Sequence, residues 1–133
     1  MIDNGPRWWL VELADEAAVR AMQPALAAIA RLTQATDAVG LAVFARCPQA
    51  EHDLVVRAFC PADGIDEDPV TGSANAAIAA WLHLNQSLPA ANYRASQGRE
   101  IGRDGRVYVE VEASGAVWIG GNTCTVVDGS LSW

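Results

Sequence analysis

Glu67-Asp68-Pro69-Val70-Thr71-Gly72-Ser73-Ala74-Asn75-Ala76-Ala77 is the stretch on which the reading of this chain turns. Two carboxylates and a stiff proline precede Thr-Gly-Ser, and the alanines that follow predict a helix from Ser73 to about Leu84. The first turn of a helix leaves backbone N–H groups without partners and carries the positive end of the macrodipole, so it attracts a carboxylate or a developing oxyanion. Gly72 allows a ligand close to the backbone, and Ser73 adds a donor. The plainer alternative is a cap in which Thr71 or Ser73 satisfies the first turn. The run has neither the Walker A spacing nor a Gly-x-Gly-x-x-Gly fingerprint.

The predicted helix is apolar on almost every side, through Ala74, Ala76, Ala77, Ile78, Ala79, Ala80, Trp81 and Leu82. Such a helix must be covered all round, and small alanines let a curling sheet approach closely. On its N-terminal side, Trp8 to Leu13 reads as a strand. Asp15 caps a short helix, and Pro24 opens a second one. Val19, Met22, Leu26 and Ile29 fall on one stripe. Val39 to Phe44 and Asp53 to Cys60 read as adjacent strands joined through Pro48 and Gln49. Beyond Pro89 the pattern is purely β: Tyr93 to Gln97, then Val107, Val109 and Val111 alternating with Tyr108, Glu110 and Glu112, then Ala116 to Gly120, then Thr123 to Val127. The expected fold is α+β, a single domain over residues 1–133 with a curled, mostly antiparallel, barrel-like sheet around a central apolar helix.

Composition bounds the chemistry. The 133 residues carry a net charge of −7, which argues against nucleic acid. Arg94, Arg99, Arg103 and Arg106 alternate with Glu100 and Asp104 and read as a solvated hairpin. The chain has no lysine, so Schiff-base chemistry is excluded. Cys47, Cys60 and Cys124 show no Cys-x-x-Cys spacing and read as small buried hydrophobes in a reducing cytoplasm. His52 and His83 have no His or Cys partner at ligand spacing, so no metal site is expected, and no apolar span predicts a membrane segment. Trp8, Trp9, Trp81, Trp118 and Trp133 are read as packing residues.

Taken with Asn4-Gly5-Pro6-Arg7-Trp8, Val56-Arg57-Ala58-Phe59 and Gln97-Gly98-Arg99-Glu100-Ile101-Gly102-Arg103, the opening stretch resembles the PhzF-like isomerase family, named for phenazine biosynthesis. The resemblance runs along nearly the whole chain and is most specific at Glu-Asp-Pro-Val-Thr-Gly-Ser-Ala. It implies a diaminopimelate-epimerase-like fold of two similar lobes, of which this chain resembles the second, C-terminal lobe. The first lobe's Asn-Leu-Ser-Glu-type segment, whose glutamate transfers the proton, has no counterpart here, nor has its Gly-His segment. The resemblance also implies a biosynthetic role without a cofactor.

Asp68 and Ser73 are then the candidate catalytic residues, and Thr71, Gly72, Ser73, Asn4 and Arg7 the candidate substrate-binding residues. Glu67 is expected to orient the loop rather than to do chemistry. The implied partners are a small carboxylate-bearing molecule and either a second copy, as a homodimer, or a complementary N-terminal lobe. Three functions stay open at this point. One is a lobe of a cofactor-independent isomerase, active when its complement is present. Another is a stand-alone binding or interaction module that keeps the fold without the catalysis. The last is a fragment or split-gene product.

Overall fold

The computed structural model describes residues 1–48 and 50–132. Gln49 and Trp133, which the sequence reading placed in a strand connection and in packing, lie outside them. The element order is β1 (Ile2–Asp3), β2 (Arg7–Glu12), α1 (Glu16–Ala21), α2 (Leu26–Thr36), β3 (Gly40–Arg46), β4 (Leu54–Cys60), β5 (Ile65–Asp68), α3 (Gly72–Leu84), β6 (Asn92–Gln97), β7 (Gly105–Val111) and β8 (Val117–Gly120). All eight strands belong to one sheet of order β1-β2-β3-β4-β6-β7-β8, with β5 also paired to β4. Its pairings are antiparallel except β2 with β3 and β4 with β6. Each parallel pair is bridged by helices, α1 and α2 in one case and α3 in the other, as parallel neighbours require.

Strand alternation sorts the core into two layers. Ala42 and Phe44 of β3 join Leu54, Val56 and Ala58 of β4 against α3, together with Val107, Val109 and Val111 of β7. The opposite faces, Val43, Ala45, Val55 and Phe59, meet Val19 of α1 and Ile29 of α2. β3 and β4 are therefore covered on both sides, whereas β7 alternates buried valines with exposed Tyr108 and Glu110. Curling of the sheet buries Ala74, Asn75, Ala77, Ile78, Ala79 and Leu82 of α3. A stripe of Ser73, Ala76, Ala80 and His83 stays half-exposed at helical spacing, so the sheet forms a half-barrel rather than a closed one.

Several local expectations change. α3 starts one residue earlier, at Gly72. Pro24 lies outside α2, whose N-cap is Ala25, and Val19 and Met22 are separated from Leu26 and Ile29 by the break. The stripe survives because both short helices lean on one core layer. Asp15 caps α1 as expected, accepting from the Ala18 amide at 2.7 Å. No strand forms over Thr123 to Val127, where Val126 and Val127 are 86% and 85% exposed. A β-branched run folds as a strand only where an edge receives it. Cys124 is consequently exposed, while Cys47 and Cys60 are buried. Trp118 is also exposed, its indole donating to Glu112 at 2.7 Å. Among the described residues no helix is long and apolar enough to cross a membrane.

Candidate functional site

The loop from Asp68 to Thr71 joins β5 to α3 and is held from below by one amide side chain. Gln97 ends β6 with no exposed surface, so its polar atoms must find protein partners. Its Nε2 donates to the Asp68 carbonyl at 2.9 Å and to Thr71 Oγ1 at 2.8 Å. Its Oε1 accepts from the Thr71 amide at 3.1 Å and from Asn75 Nδ2 at 2.9 Å. Because Thr71 Oγ1 already accepts from Gln97, its own hydrogen is directed to Asp68 Oδ2. This hydroxyl does not cap the helix. The first-turn amides of Gly72, Ser73 and Ala74 are left without intrahelical partners at the positive end of a 13-residue helix.

Two glycines bring the β6–β7 connection onto this loop. Gly98 has φ +90°, and a Cβ there would stand 2.4 Å from the Pro69 carbonyl oxygen. A Cβ at Gly105 would meet Val70 Cγ2 at the same distance. At Gly72, by contrast, a Cβ would touch only Ile119 Cγ2, at 3.7 Å. The absent side chain there leaves open space beside the first turn of the helix. A groove of about 550 Å³, lined by Val70, Arg106, Ile119 and Gly120 among others, runs beside the loop.

Ser73 receives the Trp8 indole N–H on Oγ at 3.2 Å and the Asn4 side chain on its carbonyl at 3.0 Å. With Oγ acting as acceptor, the Ser73 O–H is available to donate. Asn4 therefore reaches the loop, but Arg7 does not. Strand alternation puts Arg7 on the face opposite Trp8, where it pairs with Asp3 and Asp37 at 3.2 Å each. Glu67 forms a two-pronged pair with Arg57, at 2.9 and 2.7 Å. Their side chains are 8% and 6% exposed. Arg57 Nη1 also donates to the carbonyls of Val19 and Met22, tying the end of α1 to the strand that leads into the loop. Beside the site, burial pushes the Cys60 thiol up to about 11, with the charges of Asp68 and Asp63 acting in the same direction.

Sequence reasoning missed Gln97 and Asn75 as members of the site. The available signal was the amide of Gln97 at an inward position of a strand, directly before Gly98, where only a partnered polar group is tolerated. It also missed a second cluster. Although His52 lacks a partner at ligand spacing in sequence, the fold brings Glu16, Cys47 and His52 together with their ligand atoms within 4.8 Å of one another.

The family model described as phenazine biosynthesis-like protein matches residues 1–129. An "Uncharacterized isomerase" of Deinococcus radiodurans is 37% identical over 91% of this chain and 41% of its own length. A second, of Pseudomonas aeruginosa, is 45% identical over 69% of this chain and 34% of its own. Among solved structures, a phenazine biosynthesis PhzC/PhzF protein of Clostridium difficile superposes with a TM-score of 0.70 at 26% identity, over 96% of this chain and 45% of that one. A PhzF-family protein of Enterococcus faecalis gives 0.63 at 29% identity, over 83% and 41%. The chain thus spans less than half the length of these relatives.

Proposed function

The chain belongs to the phenazine biosynthesis-like family and has its isomerase-like fold, and from that premise we propose that it binds a small carboxylate compound at the start of α3 and forms one wall of a cofactor-independent proton-transfer site. The complementary wall, with the base, comes from a first lobe of the kind the relatives' greater length leaves room for. The observation that carries this reading is the division of labour in the loop. Gln97, Asn75 and Asp68 engage Thr71 on every side, yet no side chain caps the first turn of α3 among the described residues, and Gly72 leaves open space beside that turn.

A substrate carboxylate would lie on the Gly72 and Ser73 amides with the Ser73 hydroxyl as a third donor. Negative charge that develops as a neighbouring C–H loses its proton is stabilised by the same field. Asp68, oriented by Thr71, faces a substrate amine or hydroxyl or assists in moving the proton. Proton transfer also needs a base within about 3 Å of the carbon that reacts. A first-lobe glutamate supplies that base in this reading.

The test is solvent deuterium wash-in to a panel of small cyclic and amino carboxylates, followed by NMR, with calorimetric titration of the same panel. Binding by the chain alone, with exchange only after a first lobe is added, is the expected result. Exchange at enzymatic rates by this chain alone, abolished in Asp68→Asn, would overturn the need for a complement. Absence of binding by any carboxylate would overturn the site.

A further inference from the structure

Away from the α3 loop, donors of three chemical kinds meet where the first turn of α1 packs on the β3–β4 connection. Glu16 comes from α1, and Cys47 and His52 come from the connection. Cys47 and His52 are buried, and His52 Nε2 lies 3.2 Å from Glu16 Oε1. We propose that this cluster is a zinc-binding site, with Cys47 Sγ, His52 Nε2 and a Glu16 carboxylate oxygen as the protein ligands and water in the fourth position.

The donor set selects the metal. A thiolate, an imidazole and a carboxylate together suit Zn²⁺, whereas Mg²⁺ and Ca²⁺ take oxygen donors. Charge balance agrees with this choice, because one thiolate and one carboxylate neutralise a divalent ion, so the loaded ligand set carries no net charge. Cys47 binds as thiolate, its S–H proton leaving to solvent as the Zn–S bond forms. Concavities on both flanks, one lined by Glu16, Ala50 and His52 and the other by Glu16, Cys47 and Ala50, give the ion and its water access.

A second observation lies one residue further out. Arg20 donates from Nε to Glu16 Oε1 at 2.6 Å, from Nη1 to Glu100 Oε1 at 2.9 Å and from Nη2 to Ser96 Oγ at 3.2 Å. When Glu16 turns to the metal, Arg20 keeps Glu100 and Ser96 as partners, so its charge is not stranded. The consequence reaches the α3 loop. Zinc would pin the start of α1, and the end of α1 is held by the same Arg57 that pairs with Glu67.

Cobalt is the probe, used on the 133-residue chain with Cys124→Ser to remove the exposed thiol. One equivalent of Co²⁺ should produce a near-ultraviolet thiolate-to-cobalt band and the visible bands of a tetrahedral site, both lost when Zn²⁺ displaces it. Zn²⁺ at about a hundred times its dissociation constant should raise the thermal midpoint by roughly 8 °C, and Mg²⁺ should leave it unchanged. Cys47→Ser should abolish the thiolate band, and His52→Gln should weaken Zn²⁺ binding at least about tenfold. Circular dichroism checks that both variants fold. No thiolate band in the parent chain, or a band unchanged in Cys47→Ser, overturns the proposal. So does an unchanged thermal midpoint with Zn²⁺. Because none of these readouts involves a carboxylate, the outcome is independent of whether the α3 site binds one.

Discussion

Gln97→Leu removes the four hydrogen bonds that seat the α3 loop while nearly conserving volume, so the cost is polar rather than a cavity. Two of the partners are not orphaned. Asn75 Nδ2 still donates to the Thr71 carbonyl at 2.9 Å, and Thr71 Oγ1 still donates to Asp68. The buried Thr71 amide loses its acceptor at a cost of about 1–3 kcal/mol, and the part-buried Asp68 carbonyl adds about 1 kcal/mol. A loss of about 3 kcal/mol corresponds, at roughly 3 °C per kcal/mol for a domain of this length, to a fall of about 9 °C in the thermal midpoint. Carboxylate affinity should fall at least about tenfold as well, because the Gly72 and Ser73 amides are aimed by the turn that Gln97 holds. Thermal denaturation by circular dichroism and calorimetric titration of the variant measure the two effects. A fall of under about 3 °C with unchanged affinity would refute the reasoning, since the loop would then be holding its geometry without Gln97.

Gly72→Val should bind no carboxylate and keep a thermal midpoint within about 3 °C of the parent, because the added Cβ meets only Ile119 at 3.7 Å; calorimetry and a melt decide it. Arg57→Met should cost about 3–5 kcal/mol by stranding buried Glu67, and Arg57→Met with Glu67→Met should recover most of it, as read by denaturant unfolding. In native protein at pH 8, iodoacetamide should modify Cys124 alone, with Cys60 reacting only as the pH nears 11 and Cys47 only near 12, where burial and, second, the Glu16 carboxylate have pushed its thiol; mass spectrometry reads the sites. The folded thiols bind protons more tightly than unfolded ones, so their contribution to stability is complete below about pH 8.5 and is lost as the pH rises through the folded values. Light scattering should find a dimer at micromolar concentration, since Trp118, Ile119 and Val126 are exposed apolar side chains that a second copy would cover.

The helix at the centre, the strands that alternate and the motif ahead of α3 were all legible in the sequence, because each depends on residues close together in the chain. Apolar circumference requires cover, period-two valines require one buried face, and Thr-Gly-Ser before alanines marks a helix start whatever surrounds it. Tertiary structure alone decided the partners. Gln97 reaches the loop because β6 lies parallel to β4, Arg57 finds Glu67 through the β4–β5 pairing, and Trp8 finds Ser73 across 65 residues. The run from Thr123 to Val127 has the composition of a strand and no edge to join, since strand formation is completed by hydrogen bonds from elsewhere. Cys47, His52 and Glu16 likewise carry no readable spacing, and the packing of α1 on the β3–β4 connection makes them neighbours. Local order follows from local sequence, whereas a site that gathers distant side chains exists only once the chain has closed around it.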